Sequence, residues 1–226
     1  MLKIYCSTAF KSILPTLLSE FEKLNGFSAS VDYGTSNNIL ERLHQGESAD
    51  LMILTHEAIN TLIETGYCKK GSLQDLCKTS IGVAIAADAS KPNIQTTEDF
   101  VTAILNTSSI TFTSKGASGM YFKGLLERLN LLDQIMPKAI VPEGGLVAEL
   151  VLQGKAQMAI QLISEIKAVP QVQLVGPLPL EINQTTLFTA GIGIKSLHSE
   201  VLTTLCTFLT SNSNQALLIE KGLNPV

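Results

Sequence analysis

With 226 residues, 45% of them apolar and 16% charged, the chain can bury one large core or two lobes of about 100 residues each, with no need of disulfide staples. A net charge of -4, with only two arginines, Arg42 and Arg128, disfavours nucleic acid as a partner, since that needs a basic face for phosphate neutralisation. The longest apolar runs, such as Ile81 to Ala87, are far too short to cross a bilayer and suit the buried strands of a parallel-rich sheet.

In chain order, Met1-Leu2-Lys3 leads straight into a predicted strand, Lys3 to Cys6. No charged n-region, apolar h-region or cleavage site precedes it, so the sequence as read is expected to carry no signal peptide and to stay in the cytoplasm. Ile13, Leu14, Leu17, Leu18, Phe21 and Leu24 recur at helical spacing, and Asn25-Gly26 stops the run. Pro15 either sits in the first turn of a helix that starts near Ser12 or kinks it. Ser30 to Tyr33 reads as a strand, Gly34 to Asn38 as a turn and Ile39 to His44 as a helix. Ala49 to Leu54 is a buried strand, and Thr55 to Thr65 a helix ended by Gly66.

From Ser80 the alternation starts afresh, with a strand at 80 to 86, a helix near 97 to 106 and a short β-like run, Ile110 to Thr113. A helix opens after Gly116-Ala117-Ser118-Gly119. Strands follow at about 139 to 142, 158 to 163 and 172 to 175, with a helix at 146 to 153. A strand over Leu187 to Ile194 and two helices, around 197 to 210 and 213 to 221, come last. This alternation predicts an α/β architecture with right-handed crossovers. The restart at Ser80 predicts two lobes, 1–79 with 189–226 and 80–188, joined by strands near 80 to 87 and 187 to 194 rather than by a flexible tether.

Four junctions share one chemistry: Ser7-Thr8-Ala9, Gly34-Thr35-Ser36-Asn37, Gly116-Ala117-Ser118-Gly119 and Pro142-Glu143-Gly144-Gly145. Each follows a strand with small residues and is expected to start a helix; Thr55, at the end of another strand, joins the candidate set. In an open α/β sheet such turns gather at the carboxyl ends of the strands, where ligands bind. Glycine lets another group approach the backbone, serine favours a cap, and the first N–H groups of a helix can serve an anion. Capping alone is the other reading. The only obvious cations nearby are Lys11 and Lys115, so the expected ligand is a small oxyanion or carboxylate held mostly by neutral donors. The absence of Trp argues against a sugar or a bulky aromatic solute.

Cys6, Cys68, Cys77 and Cys206 form no CxxC pair and are expected to be free, buried thiols. His44, His56 and His198 stand in no metal spacing, and no metal or cofactor is expected. An enzyme would need a nucleophile or an acid–base pair. The residues offer His56, with Glu143 or Glu165 as its carboxylate, and Cys6 before a helix start. The expectation is a monomeric, non-enzymatic binding protein, with a cytosolic ligand sensor and an enzyme on the same fold as alternatives.

Several segments along nearly the whole chain resemble the periplasmic molybdate-binding protein family and its relatives, the type II solute-binding proteins of ABC importers. These are Ser19-Glu20-Phe21-Glu22-Lys23, Thr35-Ser36-Asn37 with Gly46-Glu47-Ser48-Ala49-Asp50-Leu51, Ser118-Gly119-Met120-Tyr121, and Gly154 to Ile160. The resemblance implies two α/β lobes of mixed sheets flanked by helices, a strand hinge, an oxyanion in the interlobe cleft, a periplasmic location and an ABC permease as partner. It also implies that Ser36 binds the ligand through its hydroxyl and backbone N–H, and Ser118 and Gly145 through backbone N–H groups. Two family ligands are absent: a serine aligns with Ala9, although Ser7 and Thr8 lie nearby, and a tyrosine with Leu162. Molybdate or tungstate would lose those two donors, and the pattern is that of a divergent branch.

Overall fold

A computed structural model describes residues 1–226 and shows strands and helices alternating throughout. The order begins β1 (Leu2–Ser7), α1 (Leu14–Asn25), β2 (Ala29–Gly34), α2 (Ser36–His44), β3 (Leu51–Thr55), α3 (His56–Glu64) and the long β4 (Gln74–Ala86). Next come α4 (Thr97–Asn106), β5 (Ile110–Thr111), α5 (Ala117–Arg128), α6 (Leu132–Ile135) and β6 (Ala139–Ile140). α7 (Ala148–Leu152), β7 (Met158–Leu162), α8 (Ile163–Ile166) and β8 (Val172–Pro177) precede β9 (Thr185–Ile192), α9 (Ser199–Leu209), α10 (Asn212–Glu220) and β10 (Asn224–Pro225). The chain divides into two units, Met1–Lys78 with Thr186–Val226, and Thr79–Thr185, so β4 and β9 each contain a crossing point.

The first unit is built on the strand order β2-β1-β3-β9-β4. β1 runs parallel to β2 and to β3, with Ile4 opposite Val31 on one side and Leu51 on the other. β9 returns antiparallel to β3, and β10 pairs with β4. All of β3 is buried, as expected of a strand covered on both faces. One core packs Tyr5, Ile39, Leu43, Met52, Ile59 and Leu62 together.

Two details follow from local chemistry. α1 starts at Leu14 with Pro15 in its first turn, where the missing N–H costs nothing, and Gly26 ends it at φ 70°. α2 starts at Ser36 rather than Ile39, because the Thr35 hydroxyl accepts the Asn38 N–H at 3.2 Å and turns the expected loop into the first turn of the helix.

In the second unit the order is β4-β7-β5-β6, with β8 also on β4. β4 lies antiparallel to both β7 and β8, while β5 is parallel to β7 and β6. Phe122 of α5 packs edge-on against Phe112 at 5.0 Å and Phe100 of α4 at 6.3 Å, and all three are buried. Gly82 of β4 leaves room for its neighbours, since a Cβ there would stand 2.8 Å from Ile163 and 3.0 Å from the Gly176 carbonyl. β4 begins at Gln74, well before the predicted start at 80. Its early part mixes exposed Asp75 and Lys78 with buried Leu76, Cys77 and Thr79, which hides it from an apolar-run reading. The short α6, α8 and β10 carry too few residues for a periodic signal. No helix is long and apolar enough to cross a membrane.

Candidate ligand-binding site

In the first unit the candidate residues lie at the carboxyl ends of three parallel strands. Ser7 closes β1 opposite Gly34 of β2. Its hydroxyl accepts the Ala9 N–H at 3.3 Å and starts a single 3-10 turn, Thr8–Phe10, instead of the expected helix, which waits until Pro15 can occupy a first turn. Thr8 and Ala9 are buried in that turn.

Ser36 and Thr55 are brought together directly. The Ser36 hydroxyl accepts the Thr55 N–H at 3.1 Å, which ties the start of α2 to the start of α3. A serine hydroxyl that accepts one bond still has its own proton to donate. Thr55 in turn caps α3 through the Ala58 N–H at 3.4 Å. Two nine-residue helices thus present their N-termini side by side, with Asn37 half-buried in the first turn of α2. Both dipoles favour negative charge there.

The residue after Thr55 is His56. Its Nδ1 lies 3.0 Å from the Thr189 hydroxyl and 3.2 Å from Asp75 Oδ1, and Thr189 donates to the same Asp75 oxygen at 2.5 Å. The carboxylate beside His56 is therefore Asp75, and not Glu143 or Glu165 as expected. The predicted strand starts at 80 and β4 at Gln74, which leaves Asp75 outside every predicted element.

In the second unit, the loops after β5 and β6 run alongside each other: the Ser114 N–H donates to the Pro142 carbonyl at 2.8 Å and the Lys115 N–H to the Glu143 carbonyl at 3.0 Å. Lys115 Nζ also stands 3.4 Å from Glu143, so this cation already has a carboxylate. Gly116 is the N-cap of α5 and contributes no side-chain cap. Ser118, expected to cap, instead lies two positions past the N-cap, as the second residue of the helix, and is 2% exposed. Its N–H and those of Ala117 and Gly119 belong to the first turn, which has no intrahelical acceptors to offer them.

The close approach that the glycines permit is made by the chain itself. A Cβ on Gly119 would stand 1.8 Å from the Thr113 carbonyl oxygen, and one on Gly116 would stand 2.3 Å from the Thr113 hydroxyl. Gly144 and Gly145 do not open a helix either. Gly145 takes φ 95°, outside helical space, and α7 begins only at Ala148. Gln161 holds this loop: its side chain, in a residue 1% exposed, donates to the Gly145 carbonyl at 2.8 Å and accepts the Ala148 N–H at 3.4 Å. Gln161 is not among the residues predicted for the site, although one amide inside the apolar run Met158-Ala159-Ile160-Gln161-Leu162 is a signal. Leu162 is buried, and Ser164 just beyond it is fully buried with no partner for its hydroxyl.

The Gly46 to Leu51 motif has structural work. Asp50 accepts the Lys3 N–H and the Ser196 hydroxyl, and Glu47 pairs with Arg42 and Tyr5. Bonding to Arg42 holds the Glu47 carboxyl down at about 2, and the two carboxylates, Glu47 and Asp32, push the Arg42 guanidinium up. Burial raises all four free thiols, Cys68 and Cys206 to about 12, so none is a ready nucleophile. No group of three His, Cys, Asp or Glu side chains could hold a metal ion. A cavity of about 620 Å³ in the second unit, walled by Ile85, Pro92, Thr102, Asn106 and Met158, lies where β7 begins, away from the loops that follow β5 and β6.

Residues 2–224 match the family of bacterial extracellular solute-binding proteins. The chain is 32% identical over 193 residues to an aconitate isomerase of a Pseudomonas species, covering 85% of this chain and 73% of that one. Among solved structures, the periplasmic molybdate-binding protein of Azotobacter vinelandii superposes with a TM-score of 0.82 at 16% identity, over 99% of this chain and 98% of that one. The sulfate-binding protein SubI of Mycobacterium tuberculosis H37Rv gives a TM-score of 0.75 at 16% identity, over 100% and 86%. At such identities the two structures speak for the fold alone, a two-lobed periplasmic binding protein of mixed α/β build. The match over almost the whole length is what decides the family: the chain belongs to the bacterial extracellular solute-binding proteins.

Proposed function

We propose that the chain binds a small oxyanion or carboxylate through neutral donors and serves as the substrate-binding protein of an ABC importer. The observation that carries this reading is the Ser36 to Thr55 hydrogen bond, which sets two helix N-termini side by side and leaves a hydroxyl proton to donate. The α5 first turn, with Ser118, and the Gly144-Gly145 loop are the proposed contribution of the second unit. Of the two nearby cations, Lys11 and Lys115, the latter is already matched by Glu143, so charge on the ligand is met mostly by dipoles and N–H groups. Ala9 and Leu162 carry no polar side chain where molybdate binders of the resembling family have donors, which turns the choice toward carboxylates. The isomerase relative makes a tricarboxylate the first candidate.

A thermal-shift screen over molybdate, tungstate, sulfate, phosphate and small di- and tricarboxylates, aconitate included, tests the reading. A ligand present at a hundred times its Kd stabilises by about 2.7 kcal/mol, or roughly 5 to 10 °C for a chain of this size. Stabilisation by a tricarboxylate and by no inorganic oxyanion is the expected result; stabilisation by a sugar alone rejects the class.

The same relative favours a second reading, in which the chain isomerises the carboxylate that it binds. Incubating the protein with cis-aconitate and with trans-aconitate, and following each by ultraviolet absorbance and chromatography, separates an isomerase from a carrier. Loss of either isomer to the other at a rate proportional to protein concentration supports the enzyme.

A further inference from the structure

His56 is held in a way that a surface histidine does not require. Its Nδ1 faces two oxygens, Thr189 Oγ1 at 3.0 Å and Asp75 Oδ1 at 3.2 Å. Thr189 has one hydroxyl proton, and the 2.5 Å contact directs it to Asp75. Both oxygens can therefore only accept from the ring, so Nδ1 carries the proton and the neutral imidazole has its lone pair on Nε2. Residues of α3, β4 and β9, all three within the first unit, meet to fix this arrangement. Thr189 is fully buried, whereas the His56 and Asp75 side chains are 36% and 40% exposed, so the anchor is sheltered and the ring is accessible. His56 directly follows Thr55, whose N–H is bonded to Ser36, which places the ring beside the paired helix N-termini. An oriented base next to preorganised donors for negative charge is the arrangement that removes a proton from carbon.

We propose that His56 is a proton-transfer residue, with Asp75 and Thr189 as its positioning residues; this rests on the reading that the site takes a small carboxylate. In an unsaturated tricarboxylate, Nε2 takes a proton from the methylene carbon between a carboxylate and the double bond. That C–H bond breaks, an N–H bond forms, and the electron pair spreads over the three-carbon allylic frame. Returning the proton to the other end of the frame breaks the N–H bond, forms a C–H bond and leaves the double bond shifted. No oxidant, reductant or second substrate is required. The negative charge that develops faces the first turns of α2 and α3, and the Asp75 carboxylate steadies the imidazolium.

The test uses two probes on the intact protein. Tricarballylate, which has no double bond, reports binding by calorimetry, and trans-aconitate in D2O reports proton transfer through loss of its methylene signal by proton NMR. The parent is expected to bind tricarballylate and to exchange trans-aconitate. His56→Gln is expected to keep tricarballylate affinity within about threefold while exchange falls at least about 100-fold, the scale of a lost general base. Asp75→Asn, which keeps the ring but removes the charge that orients it, is expected to slow exchange about tenfold at unchanged tricarballylate affinity. Binding by the parent without exchange overturns the proposal and leaves the carboxylate reading standing, as does exchange by His56→Gln at the parental rate. If neither probe binds the parent, the carboxylate reading fails and the proposal fails with it.

Discussion

Gly119 shows how one residue type can serve two readings. The sequence suggested room for a ligand; the structure fills that room with Thr113, whose carbonyl oxygen would stand 1.8 Å from a Cβ. Gly119→Ala is therefore expected to destabilise the second unit by roughly 3 kcal/mol or more, the upper range for overpacking, in a urea unfolding experiment. Loss of ligand binding in that variant would follow from misfolding and say nothing of a direct contact. Ser36→Ala is the cleaner probe. It removes a hydroxyl and leaves the Thr55 N–H without its acceptor, so stability should drop by about 1 kcal/mol and affinity for the best ligand of the screen roughly ten- to a hundredfold. Parental affinity in calorimetry would remove Ser36 from the site. Glu47 gives a pH signature. Its carboxyl is lowered from 4.5 to about 2 in the folded protein, so the stability it contributes is present above pH 4.5 and is lost as pH falls toward 2. The melting temperature of Glu47→Gln should fall less steeply over that interval than that of the parent.

At the scale of elements, local chemistry explains which junctions open a helix directly and which become turns. α2 and α5 begin directly after their loops, because Thr35 caps the former and Gly116 can follow Thr113 closely in the latter. The β1 junction cannot do the same, since Pro15 sets the helix start at Leu14, and the β6 loop cannot, since Gly145 is left-handed. Ser118 illustrates the consequence: it lies within α5 rather than at its cap, so Ser118→Ala should leave helix capping intact. Its effect on stability then stays well under the roughly 1 kcal/mol of a lost cap. Thr96→Ala supplies the contrast, because Thr96 and Asp99 form a reciprocal capping box at the start of α4. That variant should lose about 1 kcal/mol in the same denaturant experiment.

At the scale of the whole molecule, the chain passes between its two units at Lys78/Thr79 in β4 and Thr185/Thr186 in β9. We propose that ligand binding bends these two strands, the hinge mode of domain motion. Small-angle X-ray scattering should then show a lower radius of gyration in saturating ligand than without it. An unchanged curve, with binding verified by calorimetry, would assign recognition to a single unit. Asp75 and Thr189 both lie near these crossings, so ligand-dependent bending is expected to be felt by the His56 cluster as well.

What the sequence determined by itself is what local and periodic chemistry encodes. Pro15, Gly26 and Gly66 mark helix ends, the apolar run of β3 marks a strand buried on both faces, and hydroxyl residues after strands mark helix starts such as those of α2 and α3. The α/β alternation was legible on the same grounds, while the solute-binding family was legible only through the resemblance of segments such as Thr35-Ser36-Asn37 and Gly46 to Leu51. Only the tertiary structure decided the pairing of Ser36 with Thr55, the grip of Gln161 on Gly145 and the meeting of His56 with Asp75 and Thr189. Those contacts join residues far apart in the chain, and no periodicity encodes a hydrogen bond across a sheet. Asp75 in particular lies in a strand whose mixed polarity concealed it, and it became a partner of His56 only when β4 and β9 brought it and Thr189 to the start of α3.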